Sequence, residues 1–416
     1  MRIAVISKAD ASGGGASRVA GDVVNEMERL GHDVVHFVAR EQSKNDQEIS
    51  FVFGGKLSRK ILDLGGRILR RIGFGELIPI ELFHVLLKTM KFDIIHVHDT
   101  SSAFSPLTLA AISKFAPVIW TIHDCSPFTG GCLYPQLANC ERYMSGCGSC
   151  PQKGVWPIDG YLDTTSYARG ARSWAFKNGN ITPVTPSAWM SDVAYSSNMF
   201  EKAPQVISNT IDLEVFSPAK KRLDLRKRLG VSAERRVITL SSANIADQRK
   251  GLSSSLEIVR NIKEKDFDVE VVLIGAPSSE ISGHLEGVDF TATGYVSNRR
   301  HLAEWLGISD VFLTTASVDN QPLAVMEALS CGVPVYGWKS GGIVEMVSDG
   351  NSGRLFERGV ISEVSDQFIS DSDNDKFGTM GQLARDFALE NFNSDLFGKQ
   401  YEELFRSKCN PLGGLE

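Results

Sequence analysis

The chain has 416 residues, 42% of them apolar and 23% charged, and a net charge of −6. That length suffices for two or three globular domains, and the acidic balance argues against a general nucleic-acid binder. No apolar run approaches the roughly 18 residues of a spanning helix, and the short apolar start Ile3–Ile6 lacks the core of a signal peptide, so the sequence reads as a cytoplasmic protein.

Ile3 to Ile6 predicts a buried strand, followed by the loop Ser12-Gly13-Gly14-Gly15-Ala16-Ser17. An amphipathic helix then carries Val19, Val23, Met27 and Leu30, and a second strand follows at Val34–Val38. Gly14 and Gly15 would let backbone amides approach a ligand, and Ser17 is placed to cap the helix. The plainer reading of the loop is a tight turn. Residues 41–55 are polar and read as a loop.

From Lys56 to Phe74, six cations alternate with Leu57, Ile61, Leu62, Leu64, Ile68, Leu69 and Ile72. A basic amphipathic helix of this kind suits an anionic membrane surface. A solvated helix with a core-facing stripe is the alternative, and Gly65-Gly66 reads as an interruption. Phe92–His98 and Val118–Ile122 predict two further strands, which place His98 and His123 at strand ends near one crevice.

Five of the seven cysteines fall between residues 125 and 150. Cys147-Gly148-Ser149-Cys150 has the spacing of a metal knuckle, and with Cys132 and Cys140 it offers four sulfurs for a structural zinc. Disulfides and free packed thiols stay open. A catalytic metal does not fit, because four protein sulfurs leave no open position. Ile181–Val184 then predicts a strand, with Ser187 as a helix cap, and residues 219–236 read as a solvated charged helix.

In the second half, Val237–Leu240 opens a new set of strands. Arg249 and Lys250 lie at a helix start, where paired cations and free amides suit a diphosphate. Val311–Leu313, a helix with Leu323, Val325, Met326 and Leu329, and Val333–Tyr336 form one βαβ unit. Asp319 falls beyond the carboxyl end of the first strand, where open α/β sheets bind ligands, and Glu327 falls about one turn into the helix. Met380–Glu390 and Leu396–Phe405 are the clearest later helices.

The run from Asp319 through Glu327 to Pro334, continued by Gly341-Gly342, Glu345 and Asp349–Gly353, resembles the donor-binding signature of glycosyltransferase family 4. In that family an acidic residue, seven others and a glutamate form the pattern, and here Asp319 stands where Glu is commoner. Val206–Pro218 resembles the family's interdomain crossing, and His123-Asp124-Cys125 with the cysteine insert resembles a subset of it. The resemblance implies a GT-B fold, two Rossmann-like doubly wound domains facing across a cleft. Residues 1–207 would bind the acceptor, with the insert at 125–151 and a C-terminal helix at 391–410 packing back. Residues 208–390 would bind the nucleotide-sugar.

The implied activity is retaining transfer of a hexose from a nucleotide-diphosphate sugar to a glycan or polyprenyl-linked acceptor in surface-polysaccharide synthesis. No metal is required for catalysis. By resemblance, His123 contacts the reacting end of the sugar and Asp319 holds its hydroxyls. Lys250 and Arg249, with amides of Gly14, Gly15 and Leu323, serve the diphosphate, and Glu327 binds the ribose. The family's usual arginine, five residues before its lysine, is replaced by Ile245. A nucleotide-sugar epimerase and a silent nucleotide-sugar-binding subunit are the competing readings. Contact of residues 56–74 with the inner membrane face would bring the enzyme to a lipid-linked acceptor.

Overall fold

The computed structural model describes residues 1–40, 49–242, 247–275 and 288–409. The chain divides into two compact units, one of Met1–Asn209 with Ser394–Glu416 and one of Thr210–Asn393.

The first unit is built on a seven-stranded sheet ordered β3-β2-β1-β4-β5-β6-β7. Its strands are β1 (Arg2–Ala9), β2 (Asp33–Arg40), β3 (Ile49–Phe51), β4 (Ile94–Val97), β5 (Val118–Thr121), β6 (Ile181–Thr185) and β7 (Gln205–Val206). The second unit has six strands ordered β10-β9-β8-β11-β12-β13. These are β8 (Arg236–Ser241), β9 (Val269–Ile274), β10 (Asp289–Gly294), β11 (Val311–Thr314), β12 (Val335–Trp338) and β13 (Gly353–Phe356). Every pairing between these strands is parallel. In both sheets the chain starts in the middle, winds outward and then reverses. The reversal falls between β1 and β4 in one unit and between β8 and β11 in the other, and such switch points are where doubly wound sheets hold ligands.

The continuous apolar runs of the strands follow from burial on both faces. In the second unit Val237, Val272, Phe312, Val335 and Leu355 enter one core cluster. Their chain neighbours Ile238, Leu273, Leu313, Tyr336 and Phe356 enter the other. In the first unit Ala4, Ile6, Ile95, Val97, Val118 and Trp120 face one core. The opposite face carries His96, whose ring lies 4.8 Å from that of Tyr401 and 5.3 Å from that of Phe405 on the helix Ser394–Cys409.

Several local expectations need correction. Helix α1 (Gly15–Arg29) begins at Gly14, which takes φ +115° without a side-chain cap; Ser17 lies inside the helix, buried, and caps nothing. The polar stretch read as loop contains the edge strand β3, while its residues 41–48 lie outside the described ones. Helix α2 (Lys56–Ile72) runs through Gly65-Gly66 without a break. The reason is packing, since a Cβ on Gly65 would sit 3.3 Å from Ile80 Cδ1, so glycine allows the helix to lie close. In the charged stretch 219–236, the helix Arg222–Leu229 buries Arg226, whose guanidinium pairs with buried Asp310 at 2.7 Å. Ser187 does cap its helix, accepting from the Met190 amide at 3.1 Å.

Candidate active site

At the switch point of the second unit, the segment after β8 meets the segment after β11. Gly251 takes φ +69°, and a Cβ there would lie 1.9 Å from the Thr315 carbonyl oxygen. Only glycine permits that approach. It is sealed by the Ser317 amide donating to Arg249 O at 2.8 Å and the Thr315 hydroxyl donating to Gly251 O at 2.6 Å. On the far side Gly341, with φ +55°, packs under Asp319, where a Cβ would meet the Asp319 carbonyl oxygen at 1.9 Å. The Gly342 amide donates to that same oxygen at 3.0 Å.

These backbone contacts bring three charged side chains together. Lys250 Nζ donates to Asp319 Oδ2 at 2.6 Å, and Arg249 Nη1 stands 3.1 Å from the same oxygen. Arg249 also reaches Asp247 at 3.2 Å and the Val318 carbonyl at 3.3 Å. Burial alone would raise the Asp319 carboxyl. The charges of Lys250 and Arg249, with hydrogen bonds from Lys250 and the Asn320 amide, outweigh it and hold the group below the usual aspartate range. Asp319 is therefore a resident anion clamped by two cations, and it does not cap the helix Leu323–Ser330, whose N-cap is Pro322. Leu323 opens that helix. Glu327 lies inside it, buried at 4% exposure. Ile245 lies outside the described residues.

At the switch point of the first unit, the histidines are neutral. His98 Nδ1 and His123 Nε2 share a hydrogen bond of 3.0 Å, so the two strand-end histidines do meet. His98 is fully buried, and its Nε2 finds no partner among the described residues. Burial pushes His123 down to about 4 and His96 down to about 3, so both rings are uncharged at neutral pH. His96 continues the row, hydrogen bonded to Thr121 at 2.8 Å and through it to the Tyr401 hydroxyl at 2.9 Å. The neighbouring Asp124 is pushed up to about 6, first by burial and then by the charge of Asp99. A Cβ on Gly14 would meet nothing within 4 Å, so the amino end of α1, where Gly14 and Gly15 lie, is open. The sequence offered no sign of the His96–Thr121–Tyr401 chain, because its last member lies 280 residues beyond Thr121.

Cys132, Cys140, Cys147 and Cys150 line one small pocket. All are free thiols, and among the described residues no three His, Cys, Asp or Glu side chains converge to hold a metal ion. The zinc and disulfide expectations are therefore not carried by the structure. Burial pushes Cys132 up to about 12 and raises Cys147 and Cys150, so the free thiols are protonated at neutral pH. Hydrogen bonds hold the insert: Arg142 donates to Gly148 O at 2.9 Å, the Cys150 amide to Asp163 at 2.7 Å, and Arg169 to Tyr143 O at 2.8 Å.

Two Rossmann-type units with ligand-ready switch points define the GT-B class of glycosyltransferases. Comparison with known proteins agrees. Residues 13–215 match the model of Glycosyltransferase Family 4, and residues 234–370 match that of Glycosyl transferases group 1. The chain belongs to the family 4 glycosyltransferases. Among curated proteins it is 27% identical to the N-acetyl-alpha-D-glucosaminyl L-malate synthase of Bacillus anthracis over 48% of this chain and 53% of that protein. It is 23% identical to the putative colanic acid biosynthesis glycosyl transferase WcaC of Escherichia coli K12, over 68% of this chain and 69% of that protein. The match thus spans only about half the length of the first of these relatives. Among solved structures, HepE of Anabaena in complex with UDP superposes with a TM-score of 0.70 at 16% identity, covering 98% of this chain and all of that one. The sucrose-phosphate synthase of Thermosynechococcus elongatus gives 0.71 at 16% identity, covering 98% of each chain. At such identities these structures speak to the fold.

Proposed function

We propose that the protein is a retaining hexosyltransferase that moves a sugar from a nucleotide-diphosphate donor to a glycan or polyprenyl-linked acceptor. The observation that carries the reading is the clamp of Lys250 and Arg249 on a buried carboxylate at the β8–β11 switch point. A diphosphate entering there finds two cations already aligned and takes over the charge that Asp319 now neutralises. Asp319 is thereby released toward the sugar hydroxyls. Amides at the start of the helix from Leu323 add further donors for phosphate oxygens, and Glu327 on that helix is assigned to the ribose.

In the reaction, the bond from the anomeric carbon to the diphosphate oxygen breaks and its electron pair leaves with the phosphate. Lys250 and Arg249 stabilise that developing charge. The acceptor hydroxyl oxygen bonds to the same face of the anomeric carbon, and its proton passes to the departing phosphate oxygen. No metal is needed for this step, because the cations are side chains. Within the first unit, His123 is assigned to the reacting sugar and Gly14 and Gly15 to the diphosphate, on family resemblance. Two of the relatives favour polysaccharide synthesis: WcaC is named for colanic acid biosynthesis, and a 22% identical Escherichia coli galactosyltransferase is named for a diphosphoundecaprenol-linked acceptor.

The test is a panel of nucleotide-sugars screened by thermal stabilisation, followed by turnover with the best binder. Transfer or slow donor hydrolysis that disappears in Lys250→Ala and Glu327→Ala is the expected result. Release of free epimerised sugar would replace this reading with an epimerase. Tight binding without turnover would make the protein a nucleotide-sugar-binding subunit.

A further inference from the structure

We infer that α2 and the helix beside it form a docking surface for an anionic lipid bilayer. The inference rests on surface chemistry and not on the donor reading. Along α2, Leu57, Ile61, Leu64, Ile68 and Ile72 recur at helical spacing, and all are exposed, Leu57 by 72% and Ile61 by 61%. A water-facing row of five branched side chains is unusual for a surface helix. One position before four of them stand Lys56, Lys60, Arg67 and Arg71, also exposed. The solvent side of the helix is thus an apolar row flanked by a cationic row, although the whole chain carries a net charge of −6.

The surface extends past the helix. Helix α3 (Leu82–Thr89) exposes Phe83 by 67% and Leu87 beside it. It lies close to α2, for Gly54, just before α2, faces His84 on α3, and Gly65 abuts Ile80. At the other end, the Tyr161 and Leu162 amides donate to Arg71 O at 2.8 Å and Ile72 O at 3.0 Å, and both side chains are exposed. A tyrosine at the edge of an apolar patch suits the level of lipid headgroups.

The helix is fixed to the fold, not dangling. Arg70 pairs with Asp159 at 3.3 Å, Asp63 with Arg40 at 3.2 Å, and the Arg59 guanidinium lies 3.4 Å from the centre of the Phe51 ring. Gly65 lets it sit close to Ile80 without turning the apolar row inward. Lys56 and Lys60 make no ion pair among the described residues and are available to phosphate headgroups. Apolar side chains entering the acyl boundary beside cations that meet anionic headgroups are the two terms that bind an interfacial helix. A protein partner would be expected to bring matched carboxylates, whereas a fluid anionic leaflet needs only density of charge.

The experiment is co-flotation of the full chain with phosphatidylcholine vesicles, with and without phosphatidylglycerol, in the absence of any nucleotide-sugar. Flotation with the phosphatidylglycerol vesicles, weakened by salt, is expected. Ile61→Asp with Ile68→Asp, and separately Lys60→Glu with Arg67→Glu, should each reduce the bound fraction about tenfold or more. Both pairs should keep the parent melting temperature and the same donor hydrolysis in solution. No flotation, or equal flotation of the variants, overturns the proposal. A concentration-dependent dimer that the Ile61→Asp with Ile68→Asp variant disperses also overturns it, since a second copy would then cover the row. A failure here leaves the donor reading untouched, and a failed donor screen leaves this one standing.

Discussion

The two switch points occupy the same place in two sheets of the same winding, yet they hold opposite electrostatic states. In the second unit two cations grip a carboxylate, and the site is charged throughout the neutral range. In the first unit the histidines are buried, hydrogen bonded to neutral partners and uncharged. The topology supplies a crevice, and the side chains that follow the strands decide whether it attracts an anion or a neutral group. The glycines show the same division: Gly251 and Gly341 lie jammed against the Thr315 and Asp319 carbonyls, while Gly14 faces open space.

The comparison breaks most sharply at the charged corner. Lys250→Ala should lower donor turnover about 100-fold or more, the cost of losing one preorganised group at a developing charge. Asp319→Asn should do as much damage to turnover and yet bind free nucleoside diphosphate more tightly, because the resident anion is gone. Calorimetry of the nucleotide beside steady-state kinetics separates the two effects. Weaker nucleotide binding in Asp319→Asn would show that the carboxylate is not a competitor for the cations.

Next in size is the backbone. Gly341→Ala places a methyl against the Asp319 carbonyl and forces a positive φ on alanine. It should cost about 2–4 kcal/mol in urea unfolding of the second unit and loosen the clamp. Gly14→Ala meets no atoms, so its cost should be only the about 1–3 kcal/mol of holding alanine at φ +115° with extended ψ.

Acid should distinguish the corners by pH range. His96 and His123 are held below the ordinary histidine value, so the unfolded chain takes up protons first. Their contribution is complete above about pH 6.5 and is lost as pH falls toward about 4. Each can remove at most about 1.4 kcal/mol per pH unit. Asp124, raised to about 6, acts in the opposite sense and offsets one of them. Asp319, held low, contributes above the unfolded aspartate value and loses its share only below about pH 4. Thermal melts from pH 7 to pH 4.5 should therefore weaken the first unit, and His96→Gln should flatten that slope. The smallest effect is expected for Ser187→Ala, about 1 kcal/mol from a lost helix cap.

Much of this was legible in the order of residues. Apolar runs such as Val311–Leu313 mark strands because both faces of a parallel sheet are covered, and the spacing of Asp319 and Glu327 placed both around one βα turn. The position of His98 and His123 at strand ends was enough to foresee their meeting. What escaped depended on partners distant in sequence. Nothing near Asp319 announces that Arg249 and Lys250 would neutralise it. Gly65-Gly66 reads as a helix breaker until Ile80 is seen against it. Ser17 has the chemistry of a cap but sits three residues too late. The cysteine spacing suggested a zinc site, but spacing does not fix how sulfurs point, and hydrogen bonds from Arg142 and Arg169 and to Asp163 hold that insert.

The helix Ser394–Cys409 belongs with the first unit, although all of the second unit is synthesised between them. Tyr401 therefore reaches Thr121 and covers His96 only after the ribosome has made all of the second unit. During translation the earlier unit must wait with one sheet face uncovered, while the later one can close around its own strands first. A chain stopped before Ser394 would leave that face bare, and chaperone dependence of such a truncated nascent product is where the delay would be felt.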